Sequence, residues 1–194
     1  MHTMMFHRTK TRILLLAASI ATASGLAVPA VSQADNAGFP SDDAIVLFSS
    51  SVSGMCLQPV SASLGAAIVE KTCTVPGSAA QQWWVRENTA SGNDGVTDRF
   101  AILTNQYSHL CMDAFGGLTN GTPIVQWTCG SSPGTSISNE HWQGFDAELK
   151  SGMTPYTYNY CIYDNYPFST AAELQSCNGE PAELWAQLLV GTAF

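Results

Sequence analysis

The stretch FAILTNQYSHLCMDAFGGLTNGTPIVQWTC, residues 100–129, followed after a Gly/Ser/Pro-rich turn by SNEHWQGF, residues 138–145, decides the fold of this 194-residue chain. Its apolar segments are brief and β-branched. Residues 102–104 and 124–128 are bounded by Asn, Gly, Ser or Pro, so they read as short strands joined by turns. Cys111 and Cys129 stand 18 residues apart with a turn-rich stretch between them, and Trp142 follows the second cysteine.

The same order recurs on both sides. Upstream, IVLFSSSVSGMCLQPVSASLGAAIVEKTC (residues 45–73) is followed by AAQQWW, and downstream YTYNYCIYDNYPFSTAAELQSC (156–177) is followed by PAELWAQLLV. Each unit has a Cys, a turn-rich stretch, a strand that ends at a second Cys, a turn and a Trp: Trp83, Trp142 and Trp185. The units run over about 44–90, 99–146 and 147–190, too long for most solenoid repeats. No window of helical length has an apolar period of 3.6 residues. The expectation is all-β: about four short strands per unit, closed into a barrel that leaves few exposed edges. Residues 88–98, the longest irregular stretch, are expected to be a surface loop between the first two units.

The ends and the charge bound the setting. Residues 1–12 are basic, 13–28 are apolar, and Ser32-Gln33-Ala34 has the small-x-small pattern of a cleavage site, so 1–34 reads as a secretory signal peptide and 35–43 as an extension. The apolar run is shorter than the roughly 20 residues that span a bilayer, and no membrane insertion is expected. The chain is therefore expected to be secreted. The formal charge of −8 includes three cations, Arg8, Lys10 and Arg12, within the leader. Lys71, Arg86, Arg99 and Lys150 remain, scattered, which argues against nucleic acid, whose phosphates are gripped by clustered cations.

An even number of cysteines in an exported chain reads as disulfides. Six allow fifteen connectivities. Separations of 17, 18 and 16 residues between successive neighbours favour three intra-repeat bridges, Cys56 with Cys73, Cys111 with Cys129 and Cys161 with Cys177. No Cys-x-x-Cys occurs, and only His109 and His141 follow the leader, so no metal or other cofactor is expected. Gly-x-Ser-x-Gly and His-Glu-x-x-His are also absent. His109, on an expected strand beside Cys111, is the only candidate base, and an enzyme is not expected.

From 44 to 189 the chain resembles the ricin-type β-trefoil lectins, carbohydrate-binding modules of three repeats with a Gln-x-Trp signature. The likeness is strongest in the second unit, where Cys111-Met112-Asp113, Asn120-Gly121-Thr122-Pro123, Val125-Gln126-Trp127-Thr128-Cys129 and Asn139-Glu140-His141-Trp142 follow the family pattern in order. It implies a β-trefoil and a carbohydrate partner, of galactose or xylose type. The first unit keeps Gln-x-Trp as Gln81-Gln82-Trp83, whereas the others have Glu140-His141-Trp142 and Glu183-Leu184-Trp185. In the family the Trp is a core residue and the Gln supports its repeat. An ionised Glu accepts hydrogen bonds but cannot donate them, so the internal bonding of repeats two and three is open.

If Cys111 and Cys129 bridge two antiparallel strands, side-chain alternation places Asp113 and Trp127 on one face, opposite each other. A carboxylate facing an aromatic plate suits a pyranose, which donates hydroxyls to the first and lays its C–H face on the second. The resemblance implies that Asp113, Trp127 and Asn139 bind sugar. The same offsets fall on Gln58, Lys71 and Ala80 in unit one and on Tyr163, Gln175 and Ala182 in unit three, so those sites are expected to be lost. Asp164, one residue late, makes unit three a weak second candidate. Tyr156, Tyr158 and Tyr160 alternate as one strand face would, either packed beneath the third hairpin or exposed to a glycan or protein partner. A protein-binding trefoil, as a toxin accessory subunit or a hydrolase inhibitor, is the alternative to a lectin.

Overall fold

The computed structural model describes residues 39, 43–91, 97–117, 119–130, 139–145, 147–151 and 160–193. The expected leader, nearly all of the extension, Tyr156 and Tyr158 lie outside the described residues. Everything described belongs to one of two contact units, Val31–Phe194.

Among the described residues, twelve strands fall into three sets of four. They are β1 (Ala44–Ser50), β2 (Met55–Pro59), β3 (Ile68–Thr72) and β4 (Trp83–Ser91); β5 (Thr97–Asn105), β6 (Cys111–Ala114), β7 (Thr122–Trp127) and β8 (His141–Phe145); and β9 (Glu148–Ser151), β10 (Tyr160–Tyr163), β11 (Glu173–Ser176) and β12 (Trp185–Thr192). The outer strands of the sets pair around a barrel: β12 with β1, β1 with β4, β4 with β5, β5 with β8 and β8 with β9. A Glu148–Leu184 bridge and the 2.7 Å bond from Trp185 N–H to Ala147 O bring β9 back to the start of β12. The inner strands form three hairpins, which join one another through β7 with β11 and through the bridges Ala67–Val125 and Val69–Ala171. This is a β-trefoil, with an all-β architecture broken only by a 3-10 turn at Pro181–Glu183 among the described residues.

The tryptophans tie barrel to hairpins. Trp83, Trp142 and Trp185 are fully buried, and their indole N–H groups donate to Leu57 O, Met112 O and Ile162 O at 3.1, 2.9 and 2.9 Å. Each acceptor is the residue after the first cysteine of the same repeat, so one bond fixes each hairpin over the core. All three disulfides lie within their repeats, with Cα–Cα distances of 5.0, 5.0 and 5.2 Å.

The Gln/Glu position behaves as half of one device. Gln81 Oε1 accepts from Thr74 N–H at 3.0 Å, while its Nε2 donates to Gln58 Oε1 at 3.1 Å and Thr72 O at 2.9 Å. Glu140 keeps the accepting half on Gly130 N–H at 2.8 Å, and Glu183 keeps it on Asn178 N–H and Gly179 N–H. The residue following the second cysteine is thus held in every repeat, and only the first retains the donor.

Two expectations are corrected. Residues 88–98 are not wholly loop: β4 and β5 continue as a ribbon, paired from Trp83–Asn105 out to Ser91–Thr97, because each backbone satisfies the other beyond the barrel. His109 is not on a strand. It occupies a turn at φ 58°, its N–H bonded to Asn105 O at 2.9 Å, and β6 begins two residues later.

Candidate functional site

The second hairpin places the family-implied residues. Cys111 pairs with Trp127, Met112 with Gln126, Asp113 with Val125 and Ala114 with Ile124. Met112, Ala114 and Ile124 belong to the core, so Cys111, Asp113, Val125 and Trp127 occupy the opposite, outer face. Asp113 and Trp127 share that face as expected, but they are diagonal rather than opposite, since Val125 faces Asp113. A diagonal pair is separated by about 7–8 Å, within reach of a long or aromatic side chain and wide enough to leave room for a ligand edge between them.

Asn139 joins them from the segment before β8. Its backbone carbonyl accepts Ala114 N–H at 3.0 Å, which brings its carboxamide onto the Asp113 carboxyl as a hydrogen-bond donor. Asp113 is only 6% exposed, so a hydroxyl reaching it must enter a largely desolvated spot. Burial first, and then the neighbouring Glu140 charge, push its pKa up to about 6 against the Asn139 bond that lowers it. Glu140, itself buried, is raised by desolvation and partly restored by Gly130 N–H.

The aromatic side is broader than one ring. Phe115, half exposed, lies 5.5 Å from the half-buried Trp127, with the two planes tilted by 41°. On another side the first repeat's turn comes against Trp127: Gly65, at φ +76°, approaches so closely that a Cβ there would stand 3.5 Å from the indole. That turn is held by Gln126, whose Nε2 donates to Ser61 O and Ser63 O at 2.7 Å and whose Oε1 accepts from Ser108 Oγ at 2.7 Å. Sequence reasoning missed Phe115 and this turn. The signal for Phe115 was present, since it follows Asp113 by the same two residues that separate Asp113 from Cys111.

The other repeats assemble no such set. Gln58 is engaged by Gln81, Lys71 is exposed, and Gln175 Nε2 donates to Glu173 Oε1 at 2.7 Å. Asp164 is 3% exposed and turned inward, its oxygens accepting from Ser50 Oγ, from Ser53 N–H at 3.3 Å and from Tyr166 N–H at 2.7 Å. The tyrosines divide as well: Tyr160 packs against the core, and Tyr166 is exposed.

Residues 36–127 match the ricin-type beta-trefoil lectin domain-like family. Among solved structures, the designed threefold-symmetric protein ThreeFoil aligns with a TM-score of 0.57 at 16% identity, over 74% of this chain and 97% of its own. The earthworm lectin C-terminal domain mutant, solved with 6'-sialyllactose, gives 0.52 at 12%, over 75% and 98%. The Polyporus squamosus lectin bound to a human-type influenza-binding epitope gives 0.55 at 13% over 76% of this chain, which spans 49% of that lectin. The search of curated proteins finds no match. The family match runs through the first repeat and into the second, and the same set of four strands recurs to close the trefoil at β12, so the chain is similar to the ricin-type β-trefoil lectin-like domains.

Proposed function

We propose that this is a secreted carbohydrate-binding domain whose main site is the outer face of the second repeat. One observation carries the reading: only there among the described residues do a carboxyl, an amide bonded to it and a pair of partly exposed rings meet on one hairpin face. Asp113 and Asn139 would take hydroxyls, and Trp127 with Phe115 would take the C–H face. The export reading rests on the leader pattern of residues 1–34. The two lectins above carry sialylated glycans, and at 12% and 13% identity they leave the sugar open; a galactose- or xylose-type unit remains the proposal.

A single shallow site should hold a free monosaccharide at about millimolar Kd and gain chiefly from multivalent display. The test is a glycan array followed by calorimetry on the parent, Asp113→Asn and Trp127→Ala, with Lys71→Ala and Gln175→Ala as controls and circular dichroism to verify folding. Loss in the first two variants and retention in the controls supports the assignment; equal binding by Asp113→Asn, Trp127→Ala and the parent overturns it. One observation favours a second reading, a protein partner. Phe168 is 96% exposed beside the exposed Tyr166 in the third repeat. An array without hits would turn attention there.

A further inference from the structure

Glu140 stands where a Gln stands in the first repeat, and its neighbour is the carboxyl on which the proposed site depends. In the first repeat Gln81 Nε2 bonds to Gln58 Oε1 at 3.1 Å. Gln58 is two residues past its cysteine and opposite Val69, as Asp113 is two past Cys111 and opposite Val125. The following tryptophans, Trp83 and Trp142, dock identically on Leu57 O and Met112 O. By this equivalence the Gln81–Gln58 pair corresponds to Glu140 and Asp113 in the second repeat, two buried carboxyls in place of two amides. In the third repeat the equivalent position is Tyr163, whose hydroxyl donates to Glu180 at 3.3 Å and whose ionisation is hindered by burial first, then by Glu180, and less by Glu183.

An amide pair needs no proton and ignores pH. A carboxyl pair cannot be indifferent, because two charges held together in a desolvated spot oppose each other. Glu140 accepts Gly130 N–H at 2.8 Å, which favours its charged form against the burial that raises its pKa, and that charge, after burial, opposes the ionisation of Asp113. Among the described residues the other groups that meet Asp113 are neutral: Val125 from β7 and the Asn139 amide. His141, next in the chain, is stacked on Phe100 with ring centroids 5.6 Å apart, and burial lowers its pKa, which favours the neutral ring.

We infer that Glu140 is a positioning residue of the repeat-two site: by facing Asp113 it makes carbohydrate binding there pH-gated, strong near neutrality and weak in a mildly acidic medium. The inference rests on the proposed lectin function and adds its regulation. Asp113 carries its charge above a pKa of about 6 and loses it below. A ligand that needs the charged acceptor then sees only the ionised fraction, so apparent affinity falls about tenfold from about pH 7.5 to about pH 5. Glu140→Gln restores the first repeat's amide, removes the opposing charge and supplies a donor.

The test has two arms. Carbon-13 carboxyl NMR follows the titration of Asp113 without any glycan, in the parent and in Glu140→Gln. The midpoint should fall by about one pH unit or more in the variant, since a like charge has gone. Gln81→Glu, in the first repeat, should leave it in place. An unaltered midpoint in Glu140→Gln, or a parent midpoint near 4, overturns the inference, and the second measurement needs no variant to fold. The other arm measures glycan affinity against pH: a tenfold fall in the parent, displaced to lower pH in Glu140→Gln, is expected, and a flat profile in the parent overturns the gate. A parent that binds no glycan at any pH sinks the lectin function instead, while the NMR arm still decides whether Glu140 opposes Asp113.

Discussion

Ser53 joins the carboxyls of Glu70 and Asp164 across the seam between the first and third repeats, its Oγ donating to the first and its N–H to the second at 3.3 Å. Both residues are buried, Ser53 Oγ donates to Glu70 Oε2 at 2.7 Å, and no donor among the described residues reaches Glu70 Oε1. Two carboxyls held on one residue in a buried spot oppose each other's ionisation and favour a proton on one of them. Burial, chiefly, keeps it on Glu70, whose pKa rises to about 8, whereas hydrogen bonds from Ser50 and Tyr166 hold Asp164 below the usual carboxylate range.

Stability should therefore fall as pH rises from 4.5 through about 8, because there the folded chain binds a proton that the unfolded chain has released. Glu70→Gln, which is neutral at every pH, should flatten this slope and raise the melting temperature at alkaline pH. Thermal melts of both proteins across that range check it; parallel curves would refute the proton held on Glu70.

Trp142→Phe should destabilise the domain by about 1–3 kcal/mol, because it leaves Met112 O without its donor in a fully buried position, in addition to the loss of packed ring volume. Urea denaturation measures it. Trp84→Phe, which loses a bond to Asp43 at the exposed end of the barrel, should cost less.

Gln126→Leu removes both donors to Ser61 O and Ser63 O and the acceptor for Ser108 Oγ. A loss of about 2 kcal/mol is expected from the carbonyls left behind. Hydrogen exchange should quicken selectively at Gly65 N–H, which bonds to Gln126 O at 2.9 Å, and the turn beside Trp127 should loosen with it.

Peptide mapping without reduction should recover only the pairs 56–73, 111–129 and 161–177. Replacing Cys111 and Cys129 together by Ala should cost about 3 kcal/mol, the chain-entropy value for a loop of this length. A bridge between repeats would contradict the threefold strand set.

The repeat, the cysteine pairs and the buried role of Trp83, Trp142 and Trp185 were legible in the chain, because each depends on residues close together and repeated at similar spacing. Alternation along a strand likewise put Asp113 and Trp127 on one face. It could not say who stands opposite whom: the register that pairs Cys111 with Trp127, and so makes Asp113 diagonal to it, is set by the hydrogen-bond ladder between β6 and β7. The continuation of β4 and β5 through residues expected to be loop is also a property of the pair. Contacts between repeats were still further from view. Glu70 meeting Asp164, and Gly65 turning against Trp127, follow from three hairpins closing on one another, and nothing local to either partner announces them. The departure from Gln-x-Trp at Glu140 was visible at once, but its consequence was not, because only the folded hairpin brings Asp113 within reach of its charge.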